Sequence, residues 1–221
     1  MIVVHHLNNS RSQRVIWLLE ELGVPYEVKR YERDATTMLA PPELRAVHPL
    51  GKSPVITDGD KTIAETGAIV EYLIETYGQG RLIPPAGTDE KLRYTYWVHF
   101  AEGSAMPPLV MTLVFSAIPA RVPFLIRPIA KLISENVQKS FLQPNIDAQL
   151  KLMESELARG PWFAGAEFTA ADVMMSFPVE AGATRGDGLG DHPKLKNWLA
   201  TIHARPAYHR ALQAGGAYAY A

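Results

Sequence analysis

The first eighty residues switch repeatedly between two hydrophobic periods, and this switching constrains the fold more than any other feature of the chain. Ile2 to Leu7 is short, rich in β-branched residues and ends at the turn-forming pair Asn8-Asn9, so it reads as a buried strand. From about Arg11 to Leu22 the apolar residues Val15, Ile16, Leu18, Leu19 and Leu22 recur at helical spacing, and Gly23 stands where a helix C-terminal glycine belongs. Pro25 to Arg30 reads as a second strand. A crossover helix between neighbouring strands implies a parallel pair with a right-handed connection.

A Pro-punctuated segment from Ala40 to Pro49 reads as a short irregular helix, and Ser53 to Thr57 follows as a third strand. Asp58-Gly59-Asp60 makes a tight turn into Lys61 to Ala64, a hairpin signature. Thr66 to Tyr77 is helical again, with Ile69, Val70, Leu73 and Tyr77 on one side and Gly78 as its stop. Residues 1–80 therefore spell βαβ and then ββα. Residues 79–88 carry two prolines, glycines and no periodicity, and read as a linker. Residues 89–221 show only helical patterns, at about 90–115, 134–158, 170–181, 193–204 and 206–213. The pair Pro107-Pro108 should kink or break the first of these. Residues 118–133 hold three prolines among apolar residues with Arg121, Arg127 and Lys131 interleaved. A long inter-helical connection is the leading expectation there, with a lid, a dimer contact or a membrane-touching patch as alternatives.

Composition narrows the function. Of 221 residues, 47% are hydrophobic and the formal net charge is -1, so a broad phosphate-neutralising surface for nucleic acid is not expected. The chain has no cysteine, which excludes disulfides, zinc–thiolate sites and a protein-thiol nucleophile. The start, Met1-Ile2-Val3-Val4, carries no charged leader, and no uninterrupted apolar stretch reaches the roughly 20 residues of a membrane span, so a cytoplasmic protein without membrane contact is expected. His5 and His6 are adjacent on a strand and point to opposite faces, so they cannot share a metal, and none is expected.

Three local patterns stand out. Leu50-Gly51-Lys52-Ser53-Pro54-Val55-Ile56 leads into the third strand, Glu65-Thr66-Gly67-Ala68 opens the third helix, and Phe163-Ala164-Gly165 precedes the box Thr169-Ala170-Ala171-Asp172. The last is a capping box with flanking apolar residues, a folding device worth about 1 kcal/mol. Together, and in this order of elements, they make the whole chain resemble the cytosolic glutathione transferase family. The resemblance implies an α/β thioredoxin-like N-terminal domain followed by an all-α C-terminal domain. It also implies a cis Pro54, with Ser53 pairing its backbone with the cysteinyl unit of glutathione. Thr66 would cap its helix and offer N–H groups to the γ-glutamyl carboxylate, and Glu65 would meet the α-ammonium, with Lys52 alongside.

Glutathione is then a co-substrate, no other cofactor is implied, and a homodimer is expected. The chemistry requires a thiolate. Lowering a thiol from a pKa near ~8.5 to roughly 6.5 takes about 2.7 kcal/mol, which a hydroxyl donor at a helix start can contribute. Relatives place a tyrosine, serine or cysteine in this region. The segment Asn9-Ser10-Arg11-Ser12 holds neither tyrosine nor cysteine, leaving Ser10 first, with Ser12 and Asn9 as alternatives. The electrophile pocket would draw on at most two of Tyr94, Trp97, Phe100, Met106, Met111 and Phe115, the rest being core. Conjugation to a hydrophobic electrophile is the leading expectation. A glutathione-dependent peroxidase, a disulfide-exchange enzyme and a non-catalytic binding module are the alternatives.

Overall fold

A computed structural model describes residues 1–37, 39–184 and 188–221. Strand β1 (Ile2–Leu7), helix α1 (Ser12–Leu22) and strand β2 (Tyr26–Tyr31) form the expected βαβ unit, with β1 and β2 parallel from Ile2↔Tyr26 to Leu7↔Tyr31. After the short α2 (Pro42–Val47), β3 (Val55–Asp58) and β4 (Lys61–Ala64) form the Asp-Gly hairpin, and the sheet order is β2-β1-β3-β4. Gly23 closes α1 in the left-handed region at φ 66°, a conformation only glycine adopts without steric cost. The β1–β3 ladder ends at His5↔Val55.

Helix α3 (Thr66–Tyr77) corrects one expectation. Thr66 is its first residue rather than its cap, and the residue before it is Glu65, held at φ 71°. Asp58 on the hairpin accepts hydrogen bonds from Tyr72 (2.8 Å) and Tyr77, tying α3 to the sheet.

Beyond residue 88 the described chain is helical. Helix α4 (Asp89–Phe100) is capped by Thr88, whose Oγ1 accepts from Lys91 N at 3.2 Å. One π-helical turn, Ala101–Ala105, then leads into α5 (Met106–Arg121) without a break. The chain stays helical through Pro107-Pro108, so the pair does not break the helix, and a widened turn stands directly before it. The prolines then fall in the opening turn of α5, where a missing N–H costs little. The same device recurs between α6 (Arg127–Val137) and α7 (Gln143–Leu157), where the π-helical turn Gln138–Leu142 precedes Pro144. The run Asp89–Arg121 is long and apolar enough, by length and composition, to cross a membrane, yet its first turns bury Tyr94, Trp97, Val98 and Phe100 in the protein core.

Residues 118–133 are not an extended connection. They finish α5, pass Pro123, form a 3-10 turn at Phe124–Ile126 and start α6 at Arg127. All three prolines stand at helix ends: Pro119 in the last turn of α5, Pro123 between the helices and Pro128 in the first turn of α6. Phe124, Leu125, Ile129, Leu132 and Ile133 are all exposed there.

Helices α8 (Ala170–Ala183), α9 (Pro193–His203) and α10 (Pro206–Gly215) complete the chain. One apolar core runs through both halves: Val4, Val15, Ile16, Leu18 and Leu73 belong to the same cluster as Trp97, Phe163, Val173, Trp198 and Ile202. Trp17 of α1 meets Tyr208 of α10 edge-on at 5.3 Å between ring centroids, a geometry aromatic pairs favour.

The capping box forms as its sequence requires. Asp172 is fully buried; its Oδ2 accepts from Thr169 N (3.0 Å) and Thr169 Oγ1 (3.3 Å), and its Oδ1 accepts from Phe163 N (3.0 Å) and Trp198 Nε1 (3.1 Å). Burial pushes its carboxyl up to about 6 even against those four donors. Replacing Asp172 with Ala leaves three buried N–H groups unpartnered and should cost about 3 kcal/mol or more in urea unfolding. Asp172→Asn, which keeps an oxygen for Phe163 and Trp198, should cost clearly less. Equal losses would show that the carboxylate's particular bonds do not matter.

Candidate functional site

Three elements meet at one corner of the sheet: the end of β1, the start of α1 and the segment leading into β3. The β1–β3 ladder stops at the pair His5↔Val55, so Leu7 N, two residues further along β1, has no partner on β3. Ser53 supplies a substitute. Its Oγ donates to His5 O at 3.0 Å and accepts from Leu7 N at 3.3 Å, and the next peptide, Ser53-Pro54, is cis. One hydroxyl thereby closes the end of a strand and lies at the site.

Helix α1 contributes the rest. Arg11 precedes it and makes no side-chain cap, so Ser10 takes that role from one residue further back. The carbonyl of Ser10 accepts from Gln13 N (3.2 Å) and its Oγ accepts from Ser12 N (3.3 Å). Ser10 Oγ also lies 3.3 Å from Ser53 Oγ and 2.7 Å from Ser12 Oγ, and Ser12 Oγ lies 2.8 Å from His6 Nδ1. Four side chains thus form one continuous chain, Ser53–Ser10–Ser12–His6. Ser10, Ser12 and His6 are buried, whereas Ser53 is half-buried.

The other expected residues take different stations. Ser12 is wholly buried behind Ser10. Asn9 is exposed, at φ 48°, and its Oδ1 accepts from Ala219 N at 2.8 Å, so it holds the C-terminal tail. Pro54 and Thr66 are buried, and Lys52 and Glu65 are exposed. Thr66 N–H and Gly67 N–H are in the first turn of α3, where no intrahelical acceptor exists. His5 and His6 do face opposite ways: His5 bonds Tyr31 Oη at 2.8 Å on one side, His6 bonds α1 on the other.

The wall facing the helical half rests on Arg14. This buried guanidinium donates to Met174 O of α8 and to Glu102 Oε1 of the π-helical turn, while Arg11 meets Glu102 Oε2 at 3.4 Å. Arg14 also lies 5.5 Å over the ring of Phe177. Beside it Met106, Leu109, Phe177 and Ala181 form a small apolar cluster against which Ile146, Tyr218 and Tyr220 pack. Glu180, buried on α8, accepts from Tyr218 Oη at 2.5 Å, from Tyr208 Oη at 2.7 Å and from His203 Nε2 at 3.1 Å, anchoring the tail. A cavity of about 630 Å³ shares Leu109 and Ile146 with this cluster and extends between α5, α7 and α8.

Of the residues expected for a pocket, Tyr94, Trp97 and Phe100 are core, Met111 is exposed, Phe115 is half-buried, and Met106 alone joins the apolar cluster. The sequence reading missed His6, the Arg14–Glu102 pair, Phe177 and the tail tyrosines. Strand alternation could place His6 on one face of β1, but nothing in the sequence says that α1 covers that face with a serine.

Known proteins bear on this arrangement. The sequence profile described as Glutathione S-transferase, N-terminal domain, matches residues 1–75, and that described as Glutathione S-transferase, C-terminal domain, matches residues 106–206. Glutathione S-transferase 3 of Schizosaccharomyces pombe is 37% identical over 209 residues, covering 94% of this chain and 85% of that protein. Glutathione S-transferase 1 of Saccharomyces cerevisiae is 30% identical over 217 residues, with 94% and 92% covered. A solved glutathione S-transferase structure from Actinobacillus pleuropneumoniae superimposes with a TM-score of 0.81 at 31% identity, over 100% of this chain and 95% of that one.

His6 also makes a prediction about pH. Burial, aided by Arg30 on β2, pushes its imidazole down to about 4 from 6.5. A base with a depressed folded pKa stays neutral in the native state while the unfolded chain takes up a proton, so stability falls as pH drops from about 6.5 to about 4. Asp172 acts in the opposite sense over much of that window, because the native state there holds a proton the unfolded chain has released. Between pH 7 and pH 4.5, His6→Asn should therefore retain about 2 to 3 kcal/mol that the natural protein loses, measured by urea unfolding at both pH values. Parallel losses in the two proteins would refute the assignment.

Proposed function

The chain belongs to the glutathione S-transferase family, and from that premise we propose that it is an enzyme that ionises bound glutathione at Ser10 and directs the thiolate onto a hydrophobic electrophile. The observation that carries this reading is the position of Ser10. Its hydroxyl stands at the start of α1, beside Ser53 and the cis Pro54, with the positive end of the helix behind it. A hydroxyl donor together with that helix end can contribute the bulk of the roughly 2.7 kcal/mol needed to bring a thiol from about 8.5 to about 6.5.

Glutathione would lie along the edge of the sheet. In this reading Ser53 pairs its backbone with the cysteinyl unit and the N–H groups of Thr66 and Gly67 receive the γ-glutamyl carboxylate. Exposed Glu65 is then free to meet the α-ammonium, with Lys52 as a further charged contact. The left-handed backbone of Glu65, costly for a residue with a side chain, supports a binding role for this turn. Met106, Leu109, Phe177 and Tyr220 would offer the electrophile an apolar surface. The protein supplies no thiol of its own, so a route through a protein–glutathione mixed disulfide is closed.

A homodimer completes the proposal. Leu92 and Tyr96 of α4, together with Leu113 and Val114 of α5, stay exposed on the single chain, as apolar residues covered by a second copy would. Sedimentation should return twice the 24.4 kDa of one chain, and a monomeric mass would end that part of the reading.

The activity is tested by titrating the ultraviolet absorbance of bound glutathione thiolate against pH. The natural protein should hold the thiol well below about 8.5; Ser10→Ala should return it most of the way and lower kcat/KM for an aryl halide about tenfold or more near neutrality. An unshifted thiol in the natural protein, with binding intact, would point to a carrier. An unchanged titration in Ser10→Ala would remove Ser10 from the chemistry.

A further inference from the structure

A hydroxyl has one hydrogen to give, and that constraint orients the buried chain Ser53–Ser10–Ser12–His6. Ser53 is the fixed end. The carbonyl of His5, 3.0 Å away, can only accept, so the hydrogen of Ser53 is committed there, and Leu7 N–H already fills one of its lone pairs. In the 3.3 Å contact between Ser10 and Ser53, Ser10 must therefore be the donor. With its hydrogen so directed, Ser10 has to accept in its 2.7 Å contact with Ser12. Ser12 has then given its own hydrogen to Ser10, so the 2.8 Å contact with His6 Nδ1 forms only if Nδ1 carries a hydrogen and donates it. Every hydrogen bond in the chain runs outward, from the imidazole to the edge of the sheet.

The consequence falls on Ser10. Its oxygen accepts twice, from Ser12 Oγ–H at 2.7 Å and from Ser12 N–H at 3.3 Å, so both lone pairs are occupied and only its hydrogen remains to offer. Toward a sulfur replacing Ser53 as its partner, Ser10 can donate but cannot accept. A thiolate accepts that hydrogen, and a thiol would need an acceptor this oxygen no longer provides. The bond to be exchanged, at 3.3 Å, is the longest between side chains in the chain and the cheapest to give up.

We propose that Ser12 and His6 are positioning residues for glutathione ionisation: His6, as the Nδ1–H tautomer, donates to Ser12, and Ser12 donates to Ser10, so that Ser10 meets sulfur as a donor only. This rests on the reading of Ser10 as the thiolate's hydrogen-bond donor and deepens it. No proton travels along the chain. The thiol proton leaves to solvent, and the relay acts by fixing the direction of each bond and polarising it toward the sulfur. His6 is held neutral by burial and by Arg30 of β2, whose own guanidinium reaches the carbonyls of Gln213 and Ala214 at the end of α10. On β1, Val4 and Leu7 bring no charge, and the adjacent His5 bonds Tyr31 Oη at 2.8 Å on the opposite face.

Two measurements test the relay. Nitrogen-15 NMR of the imidazoles in the whole protein should find the hydrogen of His6 on Nδ1 at neutral pH, and a hydrogen on Nε2 would overturn the proposal. The titration of bound glutathione is then repeated with Ser12→Ala, His6→Leu and His6→Asn. Ser12→Ala and His6→Leu should each raise the bound thiol's pKa part of the way to that of Ser10→Ala, lowering the thiolate fraction at a fixed pH about threefold to tenfold. His6→Asn, whose amide N–H can stand where Nδ1–H stood, should restore most of the shift. A normal pKa in Ser12→Ala and His6→Leu, with Ser10→Ala still impaired, would overturn the relay and leave Ser10 in place. A His6→Asn protein as impaired as His6→Leu would reduce His6 to a packing role and equally overturn it. No effect from Ser10→Ala itself would remove the reading on which the relay stands.

Discussion

The hydroxyl of Ser53, set between the carbonyl of His5 and the amide of Leu7, is the contact on which the site is organised. It closes the β1–β3 ladder just past its last pair, His5↔Val55, so the buried amide of Leu7 remains satisfied. Because its only hydrogen is committed to that closure, it also settles the direction of the contact it makes with Ser10. A structural requirement of the sheet edge becomes an electrostatic property of the helix start. Removing Ser53 would therefore act on both the strand end and the site.

The surroundings explain why this corner is held so tightly. Helix α1 is gripped from three sides. Ser12 bonds β1 through His6, Arg14 crosses to α8 and to the π-helical turn after α4, and Trp17 packs on α10. The core does not stop between the halves of the chain, and Ile16 and Trp198 belong to one cluster. The helical half thus fixes the orientation of α1, and with it Ser10, instead of serving only as a wall for a second substrate. The buried carboxylate of Glu180 extends the same logic to the tail, which reaches back to Asn9 beside the site.

How much of this could be read in advance depended on whether the information was local. Strand β1, helix α1 with its glycine stop, the Asp-Gly hairpin and the box from Thr169 to Asp172 each follow from residues within a few positions of one another, and all appeared with small shifts at their ends. The prolines misled because their effect depends on helical register. Pro107-Pro108 reads as a break although the pair stands in a first turn directly after a π-helical turn, and the prolines of 118–133 read as a loop although each sits at a helix end. Thr66 looked like a cap, because threonine favours that position and the sequence does not reveal that Glu65 takes a left-handed conformation. His6 and the tail tyrosines were missed for a different reason: their partners lie on other elements, at positions no periodicity connects.

The most direct test of the account is a crystal structure of the protein with reduced glutathione bound. The account predicts the sulfur within hydrogen-bonding reach of Ser10 Oγ, the Ser10–Ser53 contact lengthened, Ser12 and His6 unmoved, and the γ-glutamyl carboxylate at the first turn of α3. A sulfur pointing away from Ser10, or held by another donor while the Ser53–Ser10–Ser12–His6 chain stays intact, would contradict it.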